Sequence, residues 1–138
     1  MTIRFVKAHG AGNDFLLIRE PEPLADADYA ELARAICDRH RGVGADGLVV
    51  FLRPPVGRAA GPERIRLFNS DGSEAELSGN GTRCAAAVLI GDAQAPEQLE
   101  IETQAGVKQL RLLEREGNRF RLEMHMGRPV YAPENIGY

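Results

Sequence analysis

The fold that the sequence predicts is α+β: a curved antiparallel sheet wrapped around one buried central helix, with a second, amphipathic helix. Three observations predict it. Late in the chain, Phe120, Leu122, Met124 and Met126 alternate with Arg121, Glu123 and His125, and period-two alternation marks a sheet with one wet face, for which antiparallel pairing is favoured. Residues 84–90, from Cys84 to the last isoleucine of the run, are apolar on nearly every side, so a helix there must be enclosed by sheet. Residues 28–40 instead carry Tyr29, Leu32, Ala33, Ile36 and His40 at three-to-four-residue intervals on one face, the pattern of a helix lying on a surface.

In chain order, residues 2–8 read as a strand, with Ile3 and Phe5 alternating against Arg4. The small polar stretch His9-Gly10-Ala11-Gly12-Asn13-Asp14 reads as a turn, and residues 15–18 as a buried strand. Asp28 and Glu31 have the spacing of a capping box at the start of the amphipathic helix. A glycine-rich turn over residues 42–47 leads into a strand over 48–52. Residues 53–62, with prolines, glycines and no periodicity, make a surface loop. A short strand at 65–68 precedes the central helix, predicted from Gly81 to Ile90 with Gly91 placed to end it. Leu99 and Ile101 alternate with Glu100 and Glu102, and Leu110 and Leu112 with Arg111, giving further strands. Residues 1–128 form one domain on this reading, and 129–138 a tail or the start of an inter-domain connector.

Composition narrows the function. The 138 residues are 43% apolar and 27% charged with a net charge of −3, an ordinary globular balance that argues against nucleic-acid and membrane partners. Cys37 and Cys84 are the two cysteines, too few for a disulfide scaffold and consistent with a reducing compartment. No basic segment followed by an apolar stretch opens the chain, and the expectation is a cytoplasmic domain.

The densest chemistry lies in Ser78-Gly79-Asn80-Gly81, a small-residue loop running into the central helix. Glycines permit a sharp turn and close backbone approach, and the first helical amides point outward without a helical partner. With the helix dipole they suit an anion such as a carboxylate. Asn13 and Asn69 each sit in turn sequence, which explains them structurally; their amides could equally recognise a polar zwitterion. Gly42-Val43-Gly44-Ala45-Asp46-Gly47 matches a dinucleotide fingerprint letter for letter, but follows a helix and opens a strand, the reverse of the order that motif requires. A tight helix-to-strand turn is the better account. His9, His40 and His125 lie in separate elements without metal-ligand spacing. His40 reads as a packed histidine, His125 as a wet-face residue and Cys37 as a buried hydrophobe. Cys84 reads either as core or as a thiol activated by a helix N-terminus.

Taken in order, Lys7-Ala8-His9-Gly10-Ala11-Gly12-Asn13-Asp14-Phe15, then Cys37-Asp38-Arg39 with Gly42-Val43-Gly44-Ala45-Asp46-Gly47-Leu48, then Asn69-Ser70-Asp71-Gly72-Ser73 through Gly79-Asn80-Gly81-Thr82-Arg83-Cys84 resemble the diaminopimelate epimerase family. Thr103 to Gly106 and Met126-Gly127-Arg128-Pro129 are similar to it too. The resemblance implies a cofactor-independent isomerase of lysine and peptidoglycan precursor synthesis, and the histidine and cysteine spacing gives no metal site. Such an enzyme interconverts LL- and meso-diaminopimelate with two cysteines on opposite faces of the α-carbon, one removing the proton and the other returning it. By matching position, Asn13 and Asn69 contact substrate, and Gly79 and Asn80 bind its carboxylate end.

The chain departs from that pattern twice. The family's catalytic cysteine falls on the residue before Gly-Asn-Gly, which here is Ser78, while Cys84 matches a second motif cysteine that is not the acid/base group. A thiol of pKa about 8.5 can be tuned to a thiolate near neutrality, whereas an alcohol starts several units higher. Family members are also about twice as long, with a second similar domain that supplies the other thiol. The expectation is therefore an N-terminal domain that is inactive alone, with the C-terminal domain, or in a homodimer a second copy, as its partner. Two competing readings are a one-base lyase or dehydratase of the same superfamily, and a non-catalytic amino-acid-binding domain.

Overall fold

The computed structural model describes residues 3–20, 26–54, 61–92 and 97–125. The predicted tail 129–138, the Met126-Gly127-Arg128-Pro129 segment, the first residue of the predicted opening strand and positions 55–60 of the proline-rich loop lie outside the described residues. The elements are β1 (Val6–Gly10), β2 (Asn13–Arg19), α1 (Asp26–Cys37), β3 (Gly47–Phe51), β4 (Glu63–Asn69), β5 (Glu74–Ala75), α2 (Gly79–Asp92), β6 (Gln98–Thr103), β7 (Gly106–Glu116) and β8 (Arg119–His125).

The strands run in the order β1-β2-β3-β4-β6-β7-β8, and β5 pairs with β4 beside Leu67 and Phe68. The architecture is the predicted one, a curled sheet with one helix inside it and one outside. The pairing is mixed, however, where antiparallel pairing alone was expected. β2 runs parallel to β3, and β4 parallel to β6, because α1 lies between the first pair in the chain and α2 between the second. A helical crossover returns the chain to the same end of the sheet, which a hairpin cannot do.

Each helix covers one face of the central strands. Tyr29, Ala33 and Cys37 of α1 pack on Leu16, Ile18, Leu48, Val50 and Phe68. Cys84, Ala85, Ala86 and Leu89 of α2 pack on Phe15, Leu17, Val49, Phe51, Ile65 and Leu67, with Ile101, Leu110 and Met124 closing the far side. β2 and β3 are thus buried on both faces, which is why they read as continuous apolar runs. β7 and β8 keep a wet face, with Arg111, Arg115, Arg121, Glu123 and His125 exposed.

Several boundaries move, α1 among them, which starts at Asp26 and not at Asp28. β1 and β2 meet at Ala11-Gly12, with φ of +50° and +90°, the positive values of a two-residue hairpin turn. His9, Gly10, Asn13 and Asp14 are therefore paired strand residues and not the loop expected. α1 stops at Cys37, and His40, expected on its buried face, is exposed. The Asp38 carboxylate accepts the backbone N–H groups of His40 and Arg41 at 2.8 and 3.0 Å, an Asx-type turn that competes with helix continuation. The N–H groups of Gly44 and Ala45 then satisfy the carbonyls of Ile36 and Cys37, closing the helix end. A Cβ on Gly42 would lie 2.3 Å from the carbonyl oxygen of Ala35, so only glycine fits this turn. Finally, α2 begins two residues before its predicted start, and Gly91 lies within it rather than ending it.

Candidate functional site

The early start of α2 comes from Ser78. Its hydroxyl oxygen accepts the Gly81 N–H at 3.0 Å, and its carbonyl accepts the Thr82 N–H at 2.9 Å and the Thr82 hydroxyl at 2.7 Å. That is N-cap geometry, a position serine favours. A Cβ on Gly81 would meet Leu67 at 2.9 Å and Phe15 at 3.3 Å, so the first turn of α2 lies directly on the ends of β4 and β2. The amides of Gly79 and Asn80 are the ones that position leaves without a helical acceptor.

The same end of the sheet carries the other candidates. Phe15 pairs with Gly47 and Gly47 with Asn69 in one row across three strands. Asn13 stands two residues before that row and bonds α2 directly, its side-chain oxygen accepting the Asn80 side-chain amide at 2.9 Å. Asn13 in turn donates to the Asp46 carboxylate at 3.3 Å. Asn69 belongs to the same sheet end but is bonded within its own turn. Its side-chain amide donates to the Ser73 hydroxyl at 3.0 Å and its N–H to the Ser73 carbonyl at 2.8 Å. Of the predicted residues, the structure brings Ser78, Gly79, Asn80 and Asn13 together and puts Asn69 alongside without a recorded bond to them.

Sequence reasoning missed the charged frame behind this group. Arg39 donates to both oxygens of Asp14, at 2.7 and 3.2 Å, and to Asp46 at 3.1 Å. Lys7 approaches Asp14 at 3.3 Å and donates to the Gly44 carbonyl at 2.7 Å. Arg39, with help from the Asp46 backbone amide and Lys7, holds the Asp14 carboxyl well below the usual carboxylate range. These residues lie in β1, β2 and the α1–β3 turn, and no local period links positions so far apart in the chain. The one available signal was their presence inside the motif blocks.

Both native thiols are structural. Cys84 is 5% exposed and sits in the second turn of α2, not at its tip. Burial pushes its pKa to about 11, which removes the helix-activated reading. Cys37 is pushed to about 11 as well, by burial and then by the negative charge of Asp14. No group of three or more possible metal ligands occurs among the described residues, and His9, His40 and His125 are all exposed. A groove of about 510 Å³ lies on the wet face of β6–β8, between Glu100, Arg111, Glu123 and His125. It includes none of Asn13, Asn69, Ser78, Gly79 and Asn80.

A sheet curled around a central helix, with small residues at the helix tip, is an α+β half-barrel. It superposes on a probable proline racemase from Agrobacterium radiobacter K84 with a TM-score of 0.63 at 19% identity, over 88% of this chain and 41% of that one. The diaminopimelate epimerase family model matches residues 5–132. The chain belongs to the diaminopimelate epimerase family. Among named relatives, it is 39% identical to the diaminopimelate epimerase of Halothermothrix orenii over 99% of this chain, and 42% identical to that of Carboxydothermus hydrogenoformans over 97%. It spans about half the length of these curated relatives, 47% in each case.

Proposed function

We propose that the chain forms one half of a cofactor-independent epimerase site for LL- and meso-diaminopimelate, with the second half supplied by another domain. The observation that carries this reading is the meeting of the capped α2 tip with Asn13 through the Asn80–Asn13 bond of 2.9 Å. A substrate α-carboxylate fits the amides of Gly79 and Asn80, where the helix dipole and the unpaired N–H groups favour negative charge. Asn13 and Asn69 present amides, able to donate and accept, to the remaining ammonium and carboxylate groups. The α-carbon then lies over position 78, where a base withdraws its proton while a second acid delivers one to the opposite face.

Position 78 holds a serine in place of that base. The Ser78 hydroxyl is engaged as the cap, and among the described residues none accepts its proton. An alcohol not paired with a base is a poor nucleophile or base at neutral pH. We infer that the isolated chain binds without exchanging the α-proton. The same observation favours, as a second reading, a domain that binds an amino acid and does no chemistry.

The test starts from the protein purified from its native source. Its intact mass and its transfer of deuterium from D₂O to the α-carbon of meso-diaminopimelate are measured beside those of the 138-residue chain. The epimerase reading expects a mass near twice that of the chain and deuterium incorporation by the larger protein only, where the added domain supplies an acid/base group from the opposite face. A native protein of this chain's mass that binds diaminopimelate without exchange supports the binding reading. Absence of binding by either form sinks both.

A further inference from the structure

The glycine-rich turn that imitates a dinucleotide fingerprint places Asp46 against Asn13. We propose that Asp46 is the positioning residue of this site: it sets the orientation of the Asn13 amide and, through Asn13, that of Asn80. The proposal rests on the substrate-site reading above for its relevance to binding, and on hydrogen-bond polarity for its content.

An asparagine amide can be turned end over end at little steric cost, so its polarity must be imposed by a neighbour that can only donate or only accept. An ionised carboxylate can only accept. Asp46 therefore receives the NH₂ group of Asn13 and cannot tolerate its oxygen. With its NH₂ so turned, Asn13 shows its oxygen to α2, and Asn80 answers with its own NH₂ at 2.9 Å. The orientation of Asn80 follows in turn, with its carbonyl oxygen directed away from Asn13.

Asp46 is itself held from several sides. Arg39 donates to its Oδ1 at 3.1 Å, leaving Oδ2 for Asn13 and for the Asp14 N–H at 3.1 Å. The Asp46 backbone is tied to β2 and to the turn after β4: its N–H donates to the Asp14 carbonyl at 3.0 Å, and its carbonyl accepts the Ser70 N–H at 3.1 Å. Removing the Asp46 carboxylate leaves these backbone bonds and the Arg39–Asp14 pair in place, so the fold does not depend on it. Its side chain is 42% exposed, and its contribution is direction more than stability.

The experiment reads side-chain amides by ¹H–¹⁵N NMR in the 138-residue chain without ligand. In Asp46→Ala, the NH₂ signals of both Asn13 and Asn80 are expected to move and broaden, although Asp46 is linked to Asn80 only through Asn13 in the hydrogen-bond network described. Backbone signals of β6–β8 serve as the control for folding. The isosteric exchange Asn13→Asp with Asp46→Asn reverses the donor and acceptor of the first bond and keeps an acceptor for Asn80, losing only the Asp46 side-chain acceptor of the Asp14 N–H. It should return the Asn80 signal toward its wild-type position, a rescue that general loosening of the turn does not produce. An Asn80 signal unmoved in Asp46→Ala overturns the proposal, as does failure of the paired exchange in a folded chain. If Asp46→Ala does not fold, the paired exchange decides alone. Titration of the wild type with meso-diaminopimelate separately tests the substrate reading through the Gly79 and Asn80 backbone amides. If that reading holds, Asp46→Ala weakens binding about tenfold, the size of a lost hydrogen bond to a charged group. Unmoved backbone amides count against the substrate reading alone, since the ligand-free spectra still decide on Asp46.

Discussion

The Ser78 hydroxyl accepts the Gly81 N–H at 3.0 Å, so the residue proposed to stand at the family's catalytic position is the N-cap of the central helix. The cap orders the loop whose amides are proposed to hold substrate. Replacing it tests how much of that order comes from the side chain. Ser78→Ala should lower the unfolding free energy by about 1 kcal/mol, and Ser78→Gly by only a few tenths, because glycine is tolerated at N-caps. Urea midpoints for the three chains measure both. No loss for alanine would mean that the hydroxyl–amide bond contributes nothing.

A thiol at position 78 should behave unlike the two native ones. Cys37 and Cys84 are buried and pushed up to about 11, so each is a protonated thiol at pH 8 and inaccessible to reagent. In the folded Ser78→Cys chain, a thiol reagent at pH 8 is expected to modify one site per molecule quickly, and three after denaturation. The unsubstituted chain should give none while folded and two after denaturation. Mass spectrometry counts the adducts. Rapid modification of Cys84 in the folded chain would contradict its burial in the core.

Acid should loosen the hairpin frame. The Arg39 guanidinium holds the Asp14 carboxyl below its usual range, so folding favours the charged form. Its stabilisation is complete above the unfolded value of about 3.9 and is lost as the pH falls through that value toward the folded one. Denaturation midpoints between pH 6 and 2.5 should fall for the wild type and fall less steeply for Asp14→Asn. Some slope will persist in the variant. Asp38 and Asp71 are also lowered, by backbone amides of His40 and Arg41 and by the Ser73 hydroxyl and amide respectively. Identical slopes for the two proteins would remove Asp14 from the account.

Much of this could be read directly from residue order, and the reason is local. Alternation in β8 and the all-round apolar run of α2 report what each segment must bury, wherever its partners lie. Ser78-Gly79-Asn80-Gly81 announces a helix tip because capping and glycine chemistry act within four residues. The motif blocks named the family for the same reason, each being a short contiguous string. Boundaries failed where a side chain further along intervened. Asp38 ended α1 before His40 could join its buried face, and the Ala11-Gly12 turn made strand residues of His9 and Asn13.

The sequence by itself determined the α+β class, the enclosed helix, the two amphipathic faces and the loop at the helix tip, since these depend on neighbours in the chain. Only the tertiary structure decided that β2 and β3 run parallel, that Cys84 lies sealed in the core, and that Arg39 joins Asp14 to Asp46. It alone placed Asn80 on Asn13, sixty-seven positions apart. Such contacts form when separate elements pack together, and side-chain hydrogen bonds act only over about 3 Å, a distance that no spacing along the chain encodes.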